Sequence, residues 1–204
     1  IKKTSENCFV PLTVGGGIKT SKDIRALLNS GADKVCINSS VRNNKKLIEE
    51  ASNIFGTQCI TISVDAIYKD GEYKVFTYEN DDILDISLIS YVKQLEKNGA
   101  GEIFLNSVDR DGSKEGYDIR LLKSVTDNVN IPVIACGGVG KNSHFSEAII
   151  SANCSAVSAA NIFQHTEHST ISAKAMLLNN GVEVRLNGSV KYDNFEFDHM
   201  GRPF

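Results

Sequence analysis

Short apolar runs alternate with amphipathic stretches of helical length, and this alternation restricts the possible folds more than any other feature of the chain. Most of the runs are almost continuously apolar, as expected for parallel strands that are buried on both faces. The predicted strands are Pro11–Val14, Lys34–Asn38, Cys59–Asp65, Glu102–Ser107, Ile131–Cys136 and Ala156–Ala160. The predicted helices are Ser21–Asn29, Asn43–Phe55, Ile86–Lys97, Asp118–Thr126, Asn142–Ile150 and Ser169–Asn179. This order predicts an α/β fold with a parallel sheet.

One βα unit carries an insertion after its strand. Asp70-Gly71 stands between the strand-like arms around Tyr68 and Tyr73. An Asp-Gly pair in this setting predicts a β-hairpin, because both residues tolerate the positive φ that a tight hairpin turn requires.

The composition excludes several classes of protein. Of the 204 residues, 41% are hydrophobic and 23% are charged, so the chain can bury a substantial core and does not belong to the disordered or low-complexity classes. The net charge of −3 gives no general attraction to nucleic acid or to anionic membranes. No apolar run approaches the ~20 residues of a membrane span. The five cysteines form no CxxC pair, which is typical of reduced thiols, and we expect a cytoplasmic protein.

An internal repeat favours a closed barrel over an open sheet. Pro11–Ser39 can be placed over Pro132–Ala160 without a gap, and strand, glycine turn, helix and strand stay in phase. One repeat holds four βα units, and two repeats give the eight of a (β/α)₈ barrel. A chance match of two glycine-rich turns is the alternative. We expect a barrel over residues 1–186 that lacks its first two strands, here about six βα units, and a tail over residues 187–204.

Two glycine-rich turns follow predicted strands, and both are candidate phosphate sites. They are Gly15–Gly17 and Gly137–Gly140, and the next strand in each case ends in small residues around Ser39 or Ala160. Backbone N–H groups can approach a phosphate closely at such turns. The doubling suggests two phosphate sites on opposite sides of one barrel mouth, and therefore a long substrate with a phosphate at each end. The alternative is that the turns serve packing only.

Acidic residues at strand ends are the candidate catalytic groups. Asp65 closes the apolar run before it, at the strand end where barrel active sites lie, and a carboxylate there suits general acid or base catalysis. The alternative is a turn-forming aspartate. After the fourth predicted strand, Asp111-Gly112 suits a turn that faces a ligand, whereas Asp109 and Arg110 could simply pair with each other.

These motifs together resemble the cyclase subunit of imidazole glycerol phosphate synthase. The resemblance extends to about Leu186 and is carried by Val14-Gly15-Gly16-Gly17-Ile18, Gly31-Ala32-Asp33-Lys34-Val35, Asn38, Asp65-Ala66, Val75-Phe76-Thr77, Gly99-Ala100-Gly101-Glu102-Ile103, Asp109-Arg110-Asp111-Gly112, Gly116-Tyr117-Asp118 and Gly137-Gly138. Members of that family are (β/α)₈ barrels of histidine biosynthesis. The resemblance implies a lyase that takes ammonia from a glutaminase subunit in a heterodimer. Its bisphosphorylated substrate would be a phosphoribulosyl-formimino derivative of aminoimidazole carboxamide ribonucleotide. No cofactor and no metal are implied.

The resemblance also assigns roles to individual residues. Asp65 matches the second of the family's two catalytic aspartates. Lys34 and Glu102, at strand starts, match half of a charged ring around the ammonia entrance, and a structural ion pair is the other interpretation. Asp33 matches a position that contacts the glutaminase. The residues that match the substrate and phosphate sites are Gly17, Asn38, Ser39, Asn106, Asp111, Gly112, Gly138, Ala159 and Ala160.

Departures from the family pattern keep two alternatives open. The first catalytic aspartate belongs to the strands expected before Pro11, so we expect this chain alone to have little cyclase activity. Asn106 replaces a small hydroxyl residue and Cys136 replaces a common serine. With Asn161–Phe163 and Thr166–Ser169, these changes resemble a paralogous branch of surface-polysaccharide synthesis, which is thought to pass ammonia to a sugar precursor. A non-catalytic truncated barrel that binds phosphate ligands or a subunit is the other alternative.

Overall fold

The computed structural model describes residues 1–44, 46–79, 81–164, 169–193, 195–198 and 202. The chain divides into two compact units. The first comprises Ile1–Phe104 with Asn128–Pro132, and the second comprises Leu105–Asp127 with Val133–Phe204. The predicted division into a barrel over 1–186 and a tail over 187–204 stays a prediction.

The first unit is built on part of one β-sheet. Its strands are β1 (Thr13–Gly15), β2 (Lys34–Ile37), β3 (Ile60–Lys69), β4 (Glu72–Thr77), β5 (Asp82–Ser87) and the first half of β6 (Glu102–Ser107). The order is β1-β2-β3-β6, with β1, β2 and β3 parallel. Its helices are α1 (Lys2–Ser5), α2 (Ser21–Asn29), α3 (Ser39–Asn43), α4 (Lys46–Phe55) and α5 (Leu88–Lys97), with a 3₁₀ turn over Thr57–Cys59.

The second unit continues the same alternation. It holds the second half of β6, β7 (Val133–Cys136) and β8 (Ala156–Val157), in the order β6-β7-β8. Its helices are α6 (Ile119–Thr126), α7 (Ser143–Ala152) and α8 (Thr170–Asn179), with a 3₁₀ turn over Asn161–Gln164. The predicted α/β fold with about six βα units is confirmed. No helix in the described parts of the chain has both the length and the apolar character needed to cross a bilayer.

Local sequence explains where several helices begin. Thr20 caps α2 through a reciprocal pair of hydrogen bonds with Asp23, in which the threonine hydroxyl accepts from the Asp23 amide and the aspartate accepts from the Thr20 amide. Ser87 and Asp118 cap α5 and α6 in the same general way, each accepting a hydrogen bond from an amide of the first turn. The caps satisfy amides that would otherwise lack a partner inside the helix.

The predicted hairpin is present. β3 and β4 pair antiparallel from Asp65 opposite Phe76 to Lys69 opposite Glu72. Asp70 and Gly71 both have positive φ, 55° and 88°, as a two-residue hairpin turn requires. The sequence did not indicate β5, which pairs antiparallel with β4. The predicted start of the next helix at Ile86 is therefore wrong by two residues, because Ile86 belongs to this strand and α5 begins at Leu88.

Gly101 occupies a position with no room for a side chain. A Cβ at this residue would lie 1.9 Å from the carbonyl oxygen of Thr57, whereas a Cβ at Gly188 would meet no atom within 4 Å. Both glycines lie outside the left-handed region of φ. Gly101→Ala is expected to lower the free energy of unfolding by about 2 kcal/mol or more, because the backbone on one side must move. Gly188→Ala is the matched control. Urea unfolding measures both, and equal midpoints for the two variants would contradict this packing.

Candidate active site

The first glycine turn borders an open cavity in the first unit. The cavity has a volume of about 630 Å³ and is lined by Gly15, Gly16, Gly17, Ile18, Lys19, Cys36, Ile37, Asn38, Ser39, Ser40, Asn43, Asn44, Ser63 and Glu79. Gly16 and Gly17 have positive φ, and a Cβ on either would meet no atom within 4 Å. The space in front of this turn is therefore free for a ligand. The Ser40 hydroxyl donates a hydrogen bond to the carbonyl of Ile18 and so ties the start of α3 to the turn.

Asp65 is linked to this cavity by a hydrogen bond with Asn38. The side-chain amide of Asn38, which lines the cavity, donates a 2.7 Å hydrogen bond to the Asp65 carboxylate. Asp65 is only 6% exposed and sits in β3, with hydrophobic neighbours Val64 and Ala66 buried beside it. The structure thus brings together Gly17, Asn38 and Ser39 around one cavity and holds the predicted catalytic carboxylate against its wall.

The two predicted gate residues also meet. Lys34 opens β2 and Glu102 opens β6, and their side chains form a half-buried ion pair. Glu102 accepts a second hydrogen bond from the hydroxyl of Thr61, at 2.9 Å. Next to them, the exposed Asp33 accepts a hydrogen bond from the Leu12 amide at 2.7 Å and holds the segment that leads into β1. The pair lies at the strand starts, as predicted, and the glycine turn lies at the other end of the strands.

Cys36 lies between these two features. Its pKa is raised to about 11, chiefly by burial and further by the negative charges of Asp65 and Glu102. Cys36 lines the cavity, and its raised pKa keeps the thiol protonated and weakly nucleophilic at neutral pH.

The second glycine turn, in the second unit, is packed rather than open. A Cβ on Gly137 would lie 2.8 Å from the carbonyl oxygen of Ser107 and 2.9 Å from Oδ1 of Asn106. A Cβ on Gly138 would lie 2.2 Å from the carbonyl oxygen of Gly116, and the Gly116 amide donates a 2.7 Å hydrogen bond to the Gly138 carbonyl. The glycines of this turn are therefore required for packing, whatever else they bind.

The other predicted residues of the second phosphate site lie on segments joined to this turn. Asp111 and Gly112 are exposed on the loop after β6, where the Asp111 amide bonds back to Ser107. The same loop leads to Tyr117, whose hydroxyl donates a 2.9 Å hydrogen bond to the carbonyl of Ser158, next to Ala159 and Ala160. The predicted strand Ala156–Ala160 is shorter in the structure, because β8 ends at Val157.

Comparison with known proteins decides the family. Residues 1–170 match the family model described as histidine biosynthesis protein. The chain is 54% identical over 200 residues to a Vibrio vulnificus (strain YJ016) protein named "Putative imidazole glycerol phosphate synthase subunit hisF2". The aligned region is 98% of this chain and 74% of that relative. The chain belongs to the histidine biosynthesis protein family. The resemblance to the cyclase-subunit family is thereby confirmed, and the fold class is the (β/α)₈ barrel, represented by about six of its βα units.

Part of the cavity wall in this member of the histidine biosynthesis protein family was not indicated by the sequence. Glu79 lines the cavity and forms a 3.2 Å ion pair with Arg42 on α3. Asn43, Asn44 and Ser63 add polar groups to the same wall. Asn43 was predicted as the start of a long helix, but α3 ends there and α4 begins at Lys46, and no spacing signal indicated this break.

Residues 166–168 of the paralogue motif lie outside the described residues. Among those described, no group of three or more His, Cys, Asp or Glu side chains could hold a metal ion.

The electrostatic effect of the Asp65 charge on the Cys36 thiol can be tested by thiol reactivity. In a variant that keeps Cys36 as its single cysteine, the reaction rate with a methanethiosulfonate reagent is expected to rise with pH. The midpoint of this rise is expected near 11, the pKa of this thiol. Adding Asp65→Asn removes a negative charge, lowers that midpoint and speeds the reaction at any pH below it. Asp70→Asn, at the exposed hairpin turn, is the matched control. An unchanged midpoint in the Asp65→Asn variant would contradict this geometry.

Proposed function

We propose that the protein containing this chain is an ammonia-dependent cyclase and lyase of histidine biosynthesis, located in the cytoplasm. The substrate would be the phosphoribulosyl-formimino derivative of aminoimidazole carboxamide ribonucleotide. The products would be imidazole glycerol phosphate and aminoimidazole carboxamide ribonucleotide. The observation that carries the proposal is the buried Asp65 carboxylate, held by Asn38 beside the cavity that the first glycine turn borders.

Asp65 serves as the general acid or base in this proposal. Its carboxylate can take a proton from the substrate and return it to another atom, while the Asn38 amide helps to fix its orientation through a 2.7 Å hydrogen bond. Burial of the carboxylate excludes water from the proton-transfer path. Asn38 and Ser39, at the end of β2, also contribute amide and hydroxyl donors to the phosphate bound at Gly17.

Each unit supplies one phosphate cradle, and the number of cradles equals the number of phosphates on the proposed substrate. In the first unit the open turn at Gly16 and Gly17 presents unhindered backbone to the ligand. In the second unit, Gly138 and the exposed loop residues Asp111 and Gly112, with Ala159 and Ala160, are proposed to hold the other phosphate. Asn106 contributes its side-chain amide from the end of β6.

A glutaminase subunit is proposed to supply ammonia at the strand starts. The Lys34–Glu102 ion pair would form part of the entrance, because both residues open their strands. Asp33 lies next to Lys34 and is exposed, so it can contact the partner directly. The relative from Vibrio vulnificus carries the name of a synthase subunit, which supports a partner subunit for this protein, and we propose a heterodimer.

Replacement of Asp65 tests the catalytic proposal. In the full-length protein, Asp65→Asn is expected to lower ammonia-dependent turnover by about 100-fold or more, because the amide cannot transfer the proton. Substrate binding, measured by titration calorimetry, should change much less. Asp70→Asn on the exposed hairpin turn controls for loss of a carboxylate as such. Full turnover by the Asp65→Asn variant would remove this residue from the mechanism.

A second candidate function is the transfer of ammonia to a sugar precursor in surface-polysaccharide synthesis. The observation that favours it is Asn106, whose buried amide stands beside Gly137 where the cyclase family usually has a small hydroxyl. Ammonia-dependent turnover of the cyclase substrate by the full-length wild-type protein supports the first function. Tight binding of that substrate without turnover, unaffected by Asp65→Asn, supports a non-catalytic binding protein. If the protein neither binds nor turns over that substrate, the result supports the transfer of ammonia to a sugar precursor.

A further inference from the structure

His144 is buried at the second glycine turn, although the proposed function assigns it no role. It lies in the first turn of α7 and is 7% exposed. Its Nδ1 atom accepts a 3.2 Å hydrogen bond from the backbone amide of Gly140. The imidazole is therefore tied to the glycine turn through the Gly140 amide.

The same ring lies beside the loop that follows β6. Gly116 has a φ of +97°, and a Cβ at this residue would lie 3.4 Å from the His144 ring. The Gly116 amide donates to the carbonyl of Gly138, and a Cβ on Gly140 would lie 2.2 Å from the carbonyl oxygen of Lys114. His144 thus bonds to the glycine turn and lies beside the Gly116 segment, the two parts of the chain that carry candidate residues of the second phosphate site.

We propose that His144 is a positioning residue that holds the Gly137–Gly140 turn against the Lys114–Gly116 segment, and that phosphate binds this turn only while the imidazole is neutral. The inference rests on the proposed function, because it deepens the role of the second phosphate site. A neutral imidazole can accept the Gly140 N–H bond, whereas a protonated imidazole carries a hydrogen on both nitrogens and cannot. Protonation then leaves the Gly140 donor facing another donor, and the turn shifts.

The surroundings of the ring favour its neutral form. Burial lowers the pKa of His144 first, and the positive charge of Lys141 lowers it further, whereas Glu147 opposes this. On the neighbouring loop, Lys114 and Glu115 flank Gly116, and Glu115 is engaged by Arg110 at 3.0 Å. The imidazole is therefore neutral at neutral pH and becomes charged only in acid, so phosphate affinity at this turn is expected to fall as the pH is lowered.

Two substitutions separate positioning from simple packing. His144→Ala removes the acceptor and leaves the Gly140 amide without its bond. His144→Asn keeps a side-chain oxygen that can accept near the place of Nδ1 but does not titrate. Both are made in the full-length protein, and inorganic phosphate is the probe. The backbone amide signals of Gly138 and Gly140 report the second site by ¹H–¹⁵N NMR, while those of Gly16 and Gly17 report folding and the first site in the same sample.

The expected results are specific to the second site. His144→Ala should weaken phosphate binding there on the order of tenfold at pH 8, with the first site unchanged. His144→Asn should bind nearly as well as the wild type at that pH. On acidification, the ratio of the two dissociation constants should change in the wild type and stay constant in His144→Asn. The ratio cancels the ionisation of phosphate itself.

Three outcomes would overturn the inference. If His144→Ala binds phosphate at the second site as tightly as the wild type, the ring does not position the turn. If His144→Asn keeps the pH dependence of the wild type, another group causes it. In both cases the phosphate site itself stands. If the Gly138 amide does not respond to phosphate in any protein while Gly17 does, the proposed function loses its second cradle, and the inference fails with it.

Discussion

The parallel hydrogen-bond register between β2 and β3 fixes where the candidate catalytic groups of the first unit lie. Val35 pairs with Ile60 and Ile37 with Ile62, so the two strands advance in step toward their ends. Asn38 then leaves β2 at the level at which Asp65 can accept its amide hydrogen at 2.7 Å. A slip of one residue would turn these side chains to opposite faces. The buried apolar residues of both strands hold the register, and the chemistry at the strand ends depends on it.

The same register separates two kinds of polar group along the strands. Lys34, Thr61 and Glu102 form one connected cluster at the strand starts, whereas Asn38 and Asp65 form another near the cavity. Cys36 lies between them, and its pKa is raised to about 11 by burial and by both carboxylates. Charged groups buried in this way are tolerated because each has a partner.

The two glycine turns show that similar sequences can meet different physical demands. Both turns need positive φ, which explains why glycine occurs in each. In the first turn the glycines at positions 16 and 17 face open space, which leaves room for a ligand. In the second turn, Gly137 and Gly138 lie against the loop after β6 with no room for a Cβ, so packing alone requires glycine there. These contacts explain the glycines of the second turn without deciding whether the turn also binds a phosphate, and phosphate binding there stays a prediction.

Much of the fold and part of the site could be predicted from the sequence. Continuous apolar runs identified six strands, and Asp70-Gly71 identified the hairpin, because both signals are local. β5 was missed because its pairing with β4 is a tertiary contact in a short segment with weak alternation, and the break at Asn43 was missed because it depends on how α3 packs. The sequence indicated Asn38 and Asp65 as separate site candidates, but it could not predict the hydrogen bond between them. Arg42 with Glu79, and His144 with Gly140, join segments whose proximity only the folded chain reveals.

We propose that a phosphorylated substrate binds at the Gly15–Gly17 turn with Asp65 beside its reacting atoms. A crystal structure of the full-length protein with both proposed products bound tests it most directly. We expect one phosphate on the amide of Gly17 and the side chains of Asn38 and Ser39, with the Asp65 carboxylate within hydrogen-bond distance of the bound ligand. Phosphates bound away from this turn, or an Asp65 carboxylate that contacts only protein atoms in the complex, would contradict it.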